Sequence, residues 1–122
     1  MNSPTADEVL RSYFVAEMTR DVDAIMAHFS EDAVFTSPVD VRRGHDEIRP
    51  FYEDAGERFP SLQVTIRTGF DNGVEALAEW EAVLDGPGRP QLVLNGVNVA
   101  KVVDGKIVDC RSYYDIGTYK AS

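Results

Sequence analysis

The run "VEALAEWEAVL", Val74 to Leu84, decides the fold. Its Ala, Leu and Glu content suits a helix. Its parity suits a strand: Ala76, Ala78, Trp80, Ala82 and Leu84 fall on one side and Glu75, Glu79 and Glu81 on the other, apolar inside and acidic outside. Context selects the strand. "DNG" at 71–73 is a turn signal before it, and "DGPGRP" at 85–90 forms a loop after it. Alternating segments flank both turns. "SLQVTIRTGF" at 61–70 sets Leu62, Val64 and Ile66 against polar neighbours, and "QLVLNGVNVAKVV" at 91–103 joins "KIVDCRSYYDIG" at 106–117 through Asp104-Gly105, a favoured hairpin turn.

The first half reads differently. Thr5 and Glu8 stand at capping-box spacing, and Val9, Leu10, Tyr13, Phe14 and Met18 then recur at helical spacing as one buried stripe. A short helix fits Asp21 to Phe29, carrying Val22, Ile25, Met26 and Phe29. "DAVFTSPV" at 32–39 reads as a strand ending at a proline, with Phe35 and Ser37 sharing a face. From Gly44 a third helix carries Ile48, Phe51, Tyr52, Ala55 and Phe59 along one side. The order of helix, helix, strand, helix and four strands predicts an α+β fold, a curved and mostly antiparallel sheet with three helices packed on one face.

The 122 residues suffice for one domain with a real core, so 1–122 is read as a single domain. Hydrophobic residues make up 43% and charged residues 27%, a globular balance. With 21 acidic against 12 basic residues the net charge of −9 repels nucleic acid and anionic membrane surfaces. No apolar run reaches the ~20 residues of a bilayer span, and the N-terminus lacks a secretory pattern, so a cytoplasmic location is expected. One cysteine and two histidines without ligand spacing predict neither a disulfide nor a metal site, and no cofactor is expected.

Together with this element order, "FSEDAVFTSPV" (29–39), "GHDEIRPFY" (44–52) and "VVDGKIVDCRSYYD" (102–115) resemble the nuclear transport factor 2-like superfamily, particularly its SnoaL-like and ketosteroid-isomerase-like branch. The likeness spans nearly the whole chain. It implies a cone in which helices close over a bent sheet, leaving a pocket for small apolar molecules that carry carbonyl or hydroxyl groups, and a homodimer formed through the sheet. Ketosteroid isomerases hold an enolate oxygen with a first-helix tyrosine and a protonated aspartate while a second aspartate shuttles the proton. The resemblance puts Tyr13 on that tyrosine, Asn98 near the oxygen-holding aspartate and Ser37 where the base stands. A serine hydroxyl accepts no proton at neutral pH without a further base. Asp40, close behind Ser37, and Asp115, at the end of the last strand, are the nearby carboxylates, although simple alternation turns Asp115 away from the side of Cys110, Ser112 and Tyr114.

The expected site therefore has Tyr13 and Asn98 polarising an oxygen, Asp40 or Asp115 as base, and Phe35, Ser37, Trp80, Cys110, Ser112 and Tyr114 shaping the pocket. Its chemistry would be isomerisation or cyclisation of a polyketide-like or steroid-like carbonyl compound through an enolate. Tyr13 and Trp80 fit a plain core role as well. The alternative is a noncatalytic binding module on the same fold. The closing hairpin also resembles limonene epoxide hydrolases, with Arg111, Tyr113 and Asp115 at matching positions but Ser112 where their acidic donor stands. The inward row Ala78, Trp80 and Ala82 offers none of the remaining aspartate and arginine, which speaks against epoxide opening.

Overall fold

The computed structural model describes residues 3–121. Four helices, α1 (Ala6–Thr19), α2 (Val22–Met26), α3 (His45–Arg58) and α4 (Ile116–Ala121), accompany six strands. The strands are β1 (Phe29–Thr36), β2 (Val41–Arg43), β3 (Ser61–Asp71), β4 (Glu75–Asp85), β5 (Leu92–Val103) and β6 (Lys106–Tyr114). They form one open sheet in the order β2-β1-β6-β5-β4-β3, antiparallel throughout except where β1 runs parallel to β6. The decisive run is β4, and the α+β cone is the observed architecture. No helix among the described residues is long and apolar enough to cross a membrane.

Helix α1 starts where Glu8 N–H donates to Thr5 Oγ1 at 3.1 Å and Thr5 N–H donates to Glu8 Oε1 at 2.9 Å, the reciprocal cap that its spacing predicted. It stops at Arg20, whose left-handed φ of 60° lets its N–H cap Glu17 O. The Arg20 side chain then donates to Phe59 O at 2.9 Å, tying α1 to the end of α3. Ala6, Val9, Leu10, Tyr13, Phe14 and Ala16 are buried against the sheet. Register shifts at Ile66/Thr68 and Lys101/Val102 mark irregularities where long strands bend, so the sheet wraps the helices instead of lying flat.

Alternation on β4 sends Ala76, Ala78, Trp80, Ala82 and Leu84 inward, where the alanines leave room for α1. Trp80 pairs with Gly96 on β5, and a Cβ at Gly96 would lie 2.5 Å from Trp80 Cζ2. The indole therefore rests directly on the β5 backbone, which only a glycine permits.

Three expectations change in detail, and a short edge strand is added. The second helix is shorter than Asp21 to Phe29, because Phe29 already opens β1. Arg42 and Arg43 lie in the short edge strand β2, with Arg42 over the Phe51 ring and paired to Asp40. A fourth helix, α4, adds to the expected three. Asp115 stands between β6 and α4, outside the last strand.

Candidate functional site

Between α1, the concave sheet face and α4 lies a largely apolar pocket with a cavity volume of about 80 Å³. Its wall includes Phe35, Phe51, Trp80, Tyr114 and Tyr119, and α1 contributes Tyr13, Phe14, Glu17 and Arg20. A cavity of about 150 Å³ holds benzene, so in this conformation only a compact molecule has room. Helix α4 narrows the mouth: Tyr119 packs edge-on to Tyr114 at 5.7 Å between ring centres, and its hydroxyl accepts from Arg58 Nη1 at 3.1 Å. The Arg58 guanidinium also lies over the Tyr119 ring.

Two polar devices sit in these walls. In the first, the hydroxyls of Tyr13 and Tyr52 share a hydrogen bond of 2.5 Å. Tyr13 lines the pocket and Tyr52 packs behind it, each at most 2% exposed. If Tyr13 donated, the Tyr52 proton would be left unpaired in the core. Donation from Tyr52 leaves the Tyr13 proton for the pocket, and this arrangement satisfies both groups. Burial holds both phenols well above their usual pKa, so they are neutral donors.

The second is centred on Asn98. Its Oδ1 accepts from Trp80 Nε1 at 2.9 Å and from Ser112 Oγ at 2.8 Å. An indole N–H only donates, so the amide orientation is fixed and Nδ2 faces Cys110 Sγ at 3.8 Å. Cys110 is fully enclosed and burial pushes its thiol up to about 12, which leaves it a neutral packing group.

The expected site residues divide sharply. Tyr13, Asn98, Phe35, Trp80, Ser112 and Tyr114 line one cavity. Ser37 sits just behind: its Oγ accepts from Val39 N–H at 3.2 Å, and it draws down the Tyr114 phenol, which burial nonetheless raises to about 12. Cys110 packs beneath Asn98 and outside the lining. Both expected bases lie elsewhere. Asp40 is exposed and bridged by Arg42 Nε at 3.0 Å. Asp115 is exposed and caps α4, accepting from Thr118 Oγ1 at 2.7 Å and Gly117 N–H at 3.0 Å; the Thr118 bond leads in lowering its pKa.

The lining carboxylate that sequence reasoning missed is Glu17. It stands four residues after Tyr13 and seven after Leu10, on the same side of α1 as the buried stripe and itself half-buried. Among the described residues its carboxyl has neither a hydrogen bond nor a salt bridge. Burial pushes it up to about 7, against the downward pull of Arg20. Arg20 is itself held by the carbonyls of Phe59 and Ala55. Among the described residues no cluster of three or more His, Cys, Asp or Glu is placed to hold a metal ion.

A family model described as the SnoaL-like domain matches residues 10–110. No curated protein sequence matches the chain. The fold is similar to that of a hypothetical protein with a ketosteroid isomerase-like fold from Catenulispora acidiphila DSM 44928, solved in complex with trimethylamine, at 15% identity and TM-score 0.84 over 98% of this chain and 92% of that one. A protein assigned as a SnoaL-like polyketide cyclase from Shewanella denitrificans OS-217 aligns at 18% identity and TM-score 0.83, covering 95% and 94%. An LEH-like epoxide hydrolase of M. tuberculosis aligns at 22% identity and TM-score 0.80, covering 94% and 86%. At these identities the likeness is one of fold.

Proposed function

The chain belongs to the SnoaL-like domain family, and we propose that its pocket binds a compact, largely apolar carbonyl compound and polarises the carbonyl oxygen through Tyr13. The observation that carries this reading is the Tyr13–Tyr52 pair, which leaves one neutral hydroxyl proton for a largely apolar cavity. In low dielectric such a donor favours a ligand oxygen that gains negative charge. Asn98 fixes the indole wall, because its oxygen accepts from Trp80 and Ser112, and its Nδ2, the group that would donate to a ligand oxygen, faces Cys110 Sγ.

Size narrows the ligand class. The free volume is about half of the ~150 Å³ that holds benzene, so a single ring needs a modest outward movement at the mouth, and a steroid-like or polyketide-like ring system needs Tyr114 and Tyr119 to swing well clear. The test is binding followed by the NMR signal of the Trp80 indole N–H. Cyclopentanone and cyclohexanone should bind, and Tyr13→Phe should weaken them about tenfold, the effect of losing one hydrogen bond. Cyclopentane and cyclohexane should be unaffected by that substitution. Equal loss for ketone and hydrocarbon would overturn the carbonyl reading.

Binding without chemistry is the second reading, favoured by Ser37 in place of a carboxylate on the β1 side of the pocket and by the outward placement of Asp40 and Asp115. Epoxide opening has less support, because the inward side chains of β4 include neither aspartate nor arginine. The same reading joins two copies through the outer face of the sheet. Leu77, Val97, Val99 and Tyr113 are neighbours there across β4, β5 and β6, and Tyr113 is 53% exposed in the single chain.

A further inference from the structure

We propose that Glu17 is the proton-transfer group of this pocket, taking a proton from the carbon next to a carbonyl whose oxygen rests against Tyr13. The assignment rests on the carbonyl reading above and turns a binding site into a catalytic one. Three observations converge on it.

Residues four apart on a helix share a face, with Cβ atoms about 5–6 Å apart. Tyr13 and Glu17 therefore lie one helical turn apart on the face of α1 that lines the cavity. A carbonyl oxygen and its adjacent carbon need a donor and a base at such close, separate points. Next, the other candidate carboxylates are committed outside, Asp40 to Arg42 and Asp115 to the start of α4. Finally, among the described residues Arg20 makes no salt bridge to Glu17: its guanidinium donates to the carbonyls of Phe59 and Ala55, and its charge acts on the carboxyl only through space. A carboxylate in an apolar cavity without such a partner is a stronger base than one in water.

The step balances without a cofactor. A Glu17 carboxylate oxygen takes the proton, the C–H electron pair becomes the carbon–carbon double bond of the enolate, and the carbonyl π pair moves onto the oxygen facing Tyr13. Return of the proton from Glu17 to the same carbon exchanges hydrogen. Return to a conjugated carbon moves a double bond.

The charged and titratable groups facing Glu17 are Tyr13 and Arg20 on α1, Tyr52 on α3, and Cys110 and Tyr114 on β6. The tyrosines and the cysteine stay neutral through neutral pH, and Arg20 stays charged. Glu17 is the group of this set that changes state near pH 7.

The experiment is deuterium uptake at the α-carbon of cyclopentanone and cyclohexanone in heavy water, with binding followed in parallel from the Trp80 indole signal. Wild type should accelerate uptake, and the rate should rise with pH through about 7 and then level. Glu17→Gln should lose about a hundredfold or more while still binding ketone. Glu17→Asp, a second variant, should retain the pH profile at a reduced rate, since its carboxylate is withdrawn by one methylene. Bound ketone that exchanges no faster than in buffer, or Glu17→Gln that matches wild type, overturns the assignment and leaves the binding reading standing. Ketones that fail to shift the indole overturn the binding reading and the assignment with it.

Discussion

The Trp80 indole donates to the Asn98 amide oxygen at 2.9 Å across neighbouring strands, and Ser112 Oγ donates to the same oxygen from the opposite side. One acceptor thus satisfies two buried donors on β4 and β6. Asn98→Ala removes the acceptor and strands both donors. It should cost about 2–3 kcal/mol in urea unfolding. Trp80→Phe eliminates one of those donors, so the two substitutions should be non-additive by about 1 kcal/mol in a double-mutant cycle. Strict additivity would mean that the bond is not formed.

Gly96 sets the position of that same indole. A methyl at this residue meets Trp80 Cζ2 and Tyr113 O, each at 2.5 Å, and the Tyr113 atom is backbone. Gly96→Ala should destabilise by about 1–3 kcal/mol, as overpacking does, and should shift Trp80 fluorescence as the ring is forced off β5. Trp80→Leu in the Gly96→Ala background should recover part of the loss, since a smaller side chain relieves the crowding.

The strand half of this architecture was legible because alternation carries it. Ala78, Trp80 and Ala82 on β4, and Cys110 and Ser112 on β6, turn inward as their parity demands. Asp115 lies past the end of β6, beyond the reach of strand parity, and its carboxyl serves the turn of α4. What escaped was short or contextual. Strand β2 is three residues long, too brief for alternation to register. Helix α4 has six residues with Gly117 near its start, so no apolar stripe announces it. Glu17 left a signal in its spacing from Leu10 and Tyr13. A glutamate beside an apolar stripe is nevertheless ordinary on a solvated helix flank, and it becomes a pocket residue only because β3, β4 and α4 close around it.

Helix α4 narrows the mouth of the pocket. Tyr119 is held by the Arg58 guanidinium and by its contact with Tyr114, and these define the mouth. Tyr119→Ala should widen it. Bicyclic ketones that wild type binds poorly should then bind at least about tenfold more tightly, while cyclopentanone gains little. Isothermal titration with both ring sizes checks this, and an equal change for both would assign Tyr119 to general packing.

On the outer sheet face, Val97 lies opposite Tyr113 and Val99 opposite Leu77, an apolar strip flanked by Glu79 and Arg111. A stable dimer buries about 800 Å² per partner, and a charge at the centre of such a contact is costly. Wild type should sediment as a dimer at micromolar concentration, and Val97→Glu should sediment as a monomer with an unchanged far-UV circular dichroism spectrum. A wild-type monomer would rule out the sheet-face dimer.

Glu17 imposes a pH dependence whose direction differs from that of most carboxylates. Its folded pKa is raised to about 7, above the ordinary value of 4.5, so between these values the native state holds a proton that the unfolded chain has lost. Stability therefore falls as pH rises through this window, because fewer protons are bound on unfolding. Below about 4.5 the residue is protonated in both states and above about 7 it is ionised in both, so its contribution is flat outside the window. The full swing is on the order of 2–3 kcal/mol, because a tenfold difference in proton affinity between folded and unfolded chain is worth about 1.36 kcal/mol and the pocket mouth gives the charge some relief. Glu17→Gln should unfold with nearly the same stability as wild type at pH 5 and be more stable at pH 8. Glu8, Asp71 and Asp115, whose pKa values are lowered by hydrogen bonds, contribute the opposite slope at lower pH in both proteins. They cancel in the difference between the two urea curves, which isolates Glu17. A difference that does not change between pH 5 and pH 8 would place the Glu17 carboxyl in water and remove the physical basis for its role as a base.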